Sequence, residues 1–334
     1  MTIKLTNKVL DLDYEAEADR ICSGIKKILS KKLKKRGLVV AMSGGIDSSV
    51  CSALAVRALG KNKVFGMLLP EQDSSDDSSN RGKILAEHLG IEFITQDIRE
   101  PLASIGCYEW RDQAIKKTFP DYGDGWKNKI TISGGTEGKY NFFKLVVQNP
   151  LGEIMEKRLD LSEYLQIVAA TNYKQRIRKT IEYFHADRLN YAVVGTPNRL
   201  EYDQGFFVKN GDGSADVKPI AHLYKSQVYA MARHLQLPEE ICSAIPTTDT
   251  YSLQQGQDEF YFALPYQQMD IALWALNHKI PASELASYLK ISESQADFIY
   301  NDIHSKRMTT HYLHAKAYLV NDEPFIELEQ AIAK

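Results

Sequence analysis

Cysteine is scarce: four residues in 334, at positions 22, 51, 107 and 242, with no Cys-x-x-Cys pair and no spacing that suits a metal. The scatter offers no disulfide framework and fits a reducing cytosol, so a cytoplasmic location is expected. An excess of either charge is also missing. The 41 Lys and Arg against 43 Asp and Glu leave a net charge of −2, which argues against a dedicated nucleic-acid binder. The chain opens Met1-Thr2-Ile3-Lys4 and soon turns acidic, without a secretory apolar core, and no apolar run approaches the roughly 20 residues of a membrane span. Neither a nucleic acid nor a membrane is an expected partner. What remains is ordinary for a globular chain, 44% hydrophobic and 25% charged. Even the basic stretch from Lys26 to Arg36 carries Ile25, Ile28, Leu29 and Leu33 at helical spacing and reads as a helix with a solvated basic face.

Two common nucleotide-binding patterns are absent as well, the Gly-x-x-x-x-Gly-Lys-Ser/Thr loop and the three-glycine dinucleotide fingerprint. In their place stands Ala41-Met42-Ser43-Gly44-Gly45-Ile46-Asp47-Ser48-Ser49, after the apolar run Leu38-Val39-Val40 and before a helical pattern. The block reads as a different phosphate cradle. Gly44 and Gly45 are expected at positive φ, letting backbone N–H groups approach anionic oxygens beside a helix N-terminus. Ser43, Ser48 and Ser49 add hydroxyls. Asp47 puts a carboxylate where phosphates would sit, which a bridging Mg²⁺ makes tolerable. Asp47 is read as part of a polar loop outside the core, so its loss is expected to abolish turnover and spare the fold. The plainer alternative is a glycine turn with an Asp/Ser helix cap.

Along the chain, residues 14–35 read as a helix, 38–42 as a buried strand, 48–59 as a helix, 64–69 as a strand, 80–89 as a helix ended by Gly90, and 92–95 as a strand. Tyr191 to Val194 supply a later strand ending at Gly195-Thr196. This alternation predicts an α/β fold with a doubly wound parallel sheet flanked by helices. In such a sheet the ligand crevice lies at the carboxyl ends of the strands, where Ser43 and Thr196 fall. Residues 107–160 break the rhythm and read as a β-hairpin-bearing insertion, within which Ser133-Gly134-Gly135 is taken as a turn. Cys51 lies in the apolar-rich helix after the cradle and reads as inert packing.

The Ser-Gly-Gly-x-Asp-Ser block resembles the loop of the ATP pyrophosphatase superfamily, Rossmann-like enzymes that adenylate a carbonyl or carboxylate oxygen and release pyrophosphate. Residues 195–227, with Gly195-Thr196, Glu201, Gly205-Phe206-Phe207-Val208-Lys209-Asn210-Gly211-Asp212-Gly213-Ser214-Ala215-Asp216 and Lys225-Ser226-Gln227, narrow the resemblance to the NAD synthetases. Asn172-Tyr173-Lys174-Gln175-Arg176-Ile177-Arg178 is similar to the helix Asn-x-Lys-Ala-Arg-x-Arg of that family.

The resemblance implies that Ser43, Gly44, Gly45, Asp47, Ser48, Thr196, Lys225 and Thr247 bind ATP, with Asp47 and Lys225 central to catalysis. It puts Asp47 and Glu201 on Mg²⁺, and Arg176, Lys209, Asp216 and Lys306 on nicotinic acid adenine dinucleotide. Arg178, two residues from Arg176, lies on another helix face and is assigned a structural or intersubunit contact. The implied reaction is ATP-dependent amidation of the dinucleotide with ammonia, through an adenylated carboxylate, in a homodimer. A single domain over 1–334 is expected, with the insertion at about 107–160 and no glutaminase domain. Departures from the pattern are Pro197, Leu200, Asn210 for the usual Tyr, and Ser305-Lys306-Arg307 for His-Lys-Arg. They leave two alternatives open: the same chemistry on another carboxylate, and a non-catalytic nucleotide-binding relative.

Overall fold

The structure, a computed structural model, describes residues 5, 6, 8–133, 142–244, 251–253, 255, 256, 261, 262, 264–318 and 320. Helix α1 (Tyr14–Lys27) starts on the Asp13 cap, whose carboxylate accepts from Ala16 N–H at 3.0 Å. It runs into a π-helical turn over Ile28–Leu33 and stops at Lys34 with φ 54°, so the expected helix over 14–35 is present with its last turns widened. Strand β1 (Leu38–Ala41), α2 (Ile46–Leu59), β2 (Val64–Leu68), α3 (Asp76–Leu89) and β3 (Glu92–Thr95) follow. Gly90 ends α3 at φ 62°, as its sequence position predicts.

Helices α4 (Arg99–Ser104) and α5 (Cys107–Thr118) come next, then β4 (Lys127–Ser133), β5 (Phe142–Gln148) and β6 (Ile154–Arg158). The first dozen residues of the expected β-bearing insertion are thus helical. Their buried positions, Cys107, Tyr108, Arg111, Ala114 and Ile115, have helical spacing that the neighbouring glycines obscure in the sequence. The strands form a separate antiparallel sheet, β4-β5-β6, and Ile130, Leu145 and Val147 pack on Ala114, Ile115 and Ile167. Gly134 and Gly135, read as a turn, lie outside the described residues.

The chain continues through α6 (Leu161–Leu189), β7 (Ala192–Val193), α7 (Arg199–Gln204), α8 (Lys225–His234), α9 (Glu239–Cys242), α10 (Tyr266–Asn277), α11 (Ala282–Leu289) and α12 (Glu293–His314). The main sheet is parallel, in the order β3-β2-β1-β7. Leu38 pairs with both Val64 and Ala192. Successive side chains go to opposite faces: Leu38 and Val40 join the cluster with Ile25, Leu54 and Val228, while Val39, Phe65 and Met67 join Ile98, Leu102 and Ala186. A sheet buried on both faces explains why these strands read as continuous apolar runs rather than alternating ones. Strand order reverses at β1, with β2 on one side and β7 on the other, and the crevice lies at this switch point.

A buried ionic network holds the segment that follows β2. Lys174, from α6, donates to Glu71 at 3.0 Å and to Asp73 at 2.5 Å, Arg111 donates to Asp73 at 2.6 Å, and Tyr108 O–H donates to Glu71 at 2.9 Å. Arg178 donates to Leu69 O at 3.2 Å and to Ser74 Oγ at 3.4 Å, a contact within the chain. The side chains of Lys174 and Glu71 are 2% and 0% exposed, so each ion depends on the other rather than on water. Lys174→Met leaves two buried carboxylates short of a cation and is expected to cost about 3–5 kcal/mol. Urea unfolding should show the loss as a lower midpoint at unchanged slope.

Candidate active site

After β1 the chain turns through Ser43-Gly44-Gly45 into α2. Gly44 has φ +74°, and a Cβ there would stand 2.2 Å from the Ser78 carbonyl oxygen, so both backbone and space require glycine. Gly45 differs from expectation. It is the N-cap of α2 in extended conformation, φ −85°, with its positive-φ role absent. The serines brace the loop: Ser48 and Ser49 Oγ donate to Gly45 O at 3.0 and 2.8 Å, and Gly45 N–H donates to Ser43 Oγ at 3.3 Å. Ser48 and Ser49 are buried, whereas Ser43 is exposed. Arg81 of α3 closes the outer side, Nε donating to Gly44 O at 3.1 Å and Nη2 to Ser78 Oγ at 3.2 Å.

Asp47 lies in the first turn of α2, not in a free loop, and is the hub of the crevice. Lys225 Nζ donates to one of its oxygens, and Asn198 Nδ2 donates to the other at 2.9 Å. Asn198 caps α7 in a capping box, its Oδ1 accepting from Glu201 N–H while its own N–H donates to Glu201 Oε2 at 3.2 Å. One asparagine therefore brings Asp47 and Glu201 to the same place. The Lys225 side chain is 2% exposed and that of Asp47 16%. Burial opposes the lysine charge, but Asp47 and then Glu201 outweigh it and hold the ammonium above its ordinary range.

Asp270, from α10, accepts from Lys225 N–H at 3.1 Å, Ser226 N–H at 2.7 Å and Ser226 O–H at 2.5 Å, fixing the start of α8. Burial pushes its carboxyl up to about 6, against the pull of those donors. Gly195 follows β7, where a Cβ would meet Ala215 Cβ at 2.7 Å, and Thr196 is half-buried between it and the α7 cap.

Ser43, Gly44, Gly45, Asp47, Ser48, Thr196, Glu201 and Lys225 thus stand around one switch point. The dinucleotide residues are engaged with protein. Arg176 Nε donates to Lys209 O at 3.3 Å, and Lys209 Nζ donates to Tyr312 O at 2.7 Å and Ala315 O at 3.1 Å at the end of α12. Asp216 accepts from Val193 N–H at 2.7 Å, satisfying the edge of β7. Lys306 donates to Tyr261 O and Asp302, both at 2.6 Å, and burial lowers its ammonium against the pull of Asp302. Thr247 lies outside the described residues. Asn210 sits at φ 60°, a conformation asparagine tolerates well, which accounts physically for that departure. Sequence reading passed over Asn198, Arg81 and Asp270. The spacing Asn198-x-x-Glu201 carried a capping-box signal for the first, and the other two had no local signal.

All four cysteines are buried, and burial raises each thiol, Cys107 to about 11. No group of three or more His, Cys, Asp and Glu that could hold a metal occurs among the described residues. Two carboxylates held at one asparagine fit an ion that completes its shell from phosphate and water, as Mg²⁺ does.

A family model for NAD synthase matches residues 17–119 and 143–312. The chain belongs to the NAD synthase family. The match leaves out residues 120–142, and with them the whole of β4 in the antiparallel sheet. The NH3-dependent NAD+ synthetase of Rhizobium meliloti is 55% identical over 96% of this chain and 95% of its own. That of Mesorhizobium japonicum is 54% identical over 93% and 98%, and that of Thermotoga maritima 36% over 72% and 80%. Among solved structures, the NH3-dependent NAD synthetase of Campylobacter jejuni superposes with a TM-score of 0.58 at 20% identity over 93% of this chain and all of that one, a likeness of fold.

Two outcomes follow for stability. Asp47 does not stand apart from the core, so Asp47→Asn, which strands the buried Lys225 ammonium, is expected to destabilise the ligand-free chain by about 3–5 kcal/mol in denaturant unfolding. The raised Asp270 carboxyl keeps its proton in the folded chain over a pH range where the unfolded chain has lost it. Its contribution to stability is greatest at low pH and falls as pH rises from about 4 to about 6. Asp270→Asn removes that dependence, so the deficit of the variant against the parent should shrink across this window.

Proposed function

We propose that this chain catalyses the ATP-dependent amidation of nicotinic acid adenine dinucleotide with ammonia, giving NAD, AMP and pyrophosphate. The observation that carries the reading is Asp47 and Glu201 joined through Asn198 beside the Gly44-Gly45 turn, in a chain of the NAD synthase family. Relatives that match nearly end to end are named as NH3-dependent enzymes.

ATP belongs in the crevice at the switch point, its phosphates beside the Ser43–Gly45 turn and the start of α2. Gly44 permits close approach, and Arg81 fixes the orientation of the Gly44 carbonyl and with it the opposed Gly45 N–H. Asp47 and Glu201 would hold Mg²⁺, which when bound would screen the phosphates and offset the charge of the departing pyrophosphate. Lys225 donates to Asp47 and adds positive charge at the same point. The nicotinate carboxylate attacks the α-phosphorus and forms the mixed anhydride; ammonia then attacks the carboxyl carbon, AMP leaves, and the surplus proton is lost. No side chain becomes covalently attached, so positioning and electrostatics carry the acceleration. Arg176, Lys209 and Asp216 are assigned to the dinucleotide, which requires Lys209 to exchange its carbonyl partners at the end of α12 for substrate. We assign a homodimer and a cytoplasmic location; among the described residues no helix is long and apolar enough to cross a membrane.

Purified protein should form NAD from ATP, Mg²⁺, the dinucleotide and ammonium, and should fail with glutamine freed of ammonia. The four buried, unactivated thiols offer no amidase nucleophile. Robust glutamine-dependent synthesis would overturn the nitrogen assignment, and pyrophosphate release with a different carboxylate alone would overturn the substrate.

A further inference from the structure

Lys218 follows the point where Val217 bridges to Val194 beside β7. Its stem lies across Gly195: a Cβ on that glycine would stand 3.1 Å from Lys218 Cγ and 3.4 Å from Cε. The ammonium ends 4.9 Å from the ring centre of Tyr202 and 5.8 Å from that of Phe207. Tyr202 is next to Glu201 on α7, and Phe207 stands two residues before Lys209. The charge is therefore held between the Asp47–Glu201 crevice and the loop that carries Lys209.

Among the described residues the Lys218 ammonium makes no hydrogen bond and no ion pair, in contrast to Lys174, Lys179, Lys209, Lys225 and Lys306. Burial, with the Lys179 charge, lowers it below its ordinary value, against a weaker pull from Asp212. Ring faces attract a cation but leave its N–H donors unsatisfied. A half-buried ammonium that donates to no protein oxygen keeps its N–H donors available for an anionic ligand.

We propose that Lys218 is a substrate-binding residue whose ammonium takes an anionic oxygen, carboxylate or phosphate, of the bound reactants. Tyr202 and Phe207 hold it poised while the site is empty, and His314, edge-on to both rings at 4.9 and 5.0 Å, completes their packing. The inference rests on the proposed reaction for the identity of those reactants.

The test begins with NAD formation by the parent protein; failure there sinks the reaction itself. Affinities for ATP with Mg²⁺ and for the dinucleotide are then measured separately, by calorimetry, on the parent, Lys218→Met and Lys218→Arg. Loss of a charge-assisted hydrogen bond is expected to weaken one ligand by about tenfold or more in Lys218→Met, with Lys218→Arg recovering much of it. Weakening confined to ATP identifies a triphosphate oxygen, and weakening confined to the dinucleotide identifies its phosphates or carboxylate. Parent affinity for both ligands in a folded Lys218→Met chain would overturn the proposal. Should that variant fail to fold, acylation of Lys218 in the parent protein, followed by peptide mass spectrometry, decides: one substrate must protect the amine, and equal labelling with either bound refutes the role.

Discussion

A single ion pair ties the crevice together. Lys225 starts α8, Asp47 starts α2, and their contact is buried on the lysine side and open to the crevice on the carboxylate side. Because the lysine cannot reach water, it must have the carboxylate, and the carboxylate is thereby fixed where phosphate and metal are to meet it. Asn198 draws on the second oxygen and ties in α7 with Glu201. Three helix N-termini thus converge on one carboxylate. Their dipoles favour negative charge there, whether of the carboxylate or of a bound phosphate.

The cradle depends on a second line of support running the other way. Lys174 and Arg178, one turn apart on α6, grip the segment 69–74; that segment leads to Ser75, the cap of α3; and α3 presents Ser78 and Arg81 to Gly44. A buried polar network is poor at adding stability but good at specifying one arrangement, provided every member is satisfied. Here it sets how closely α3 approaches the glycine turn, a distance that leaves no room for a Cβ.

The parts legible in the sequence were those whose signal is contiguous. The strand, turn and helix from Leu38 to Leu59 announce themselves because the apolar run, the glycines and the serines are adjacent. Gly90 and the strands at 64–68 and 92–95 follow from the same local logic. Gly45 was misjudged because two glycines in a turn do not say which one takes the positive φ. Asp47 was misjudged for a deeper reason: its partner Lys225 is 178 positions away, and no local pattern reports that a lysine will be buried. Asp270 is 45 positions from the helix it caps, equally invisible. The mixed reading of 107–160 came from glycines at 123 and 125 outweighing the helical spacing of α5. For the dinucleotide residues, the pattern identifies the segment, while the structure finds Lys209 and Lys306 bonded to backbone carbonyls.

The order of synthesis gives the pairing of β1 with β7 a temporal side. Asp47 leaves the ribosome with its half of the sheet, but the lysine that neutralises it is made 178 residues later. At about 5–20 residues per second, that interval lasts on the order of ten to forty seconds. For most of it, β1, β2 and β3 can assemble and α2 can cover them, yet the open edge of β1 waits for β7 and the crevice has only one wall. A nascent chain of this length carries the glycine turn without the means to use it, so nucleotide can reward folding only in its last stage.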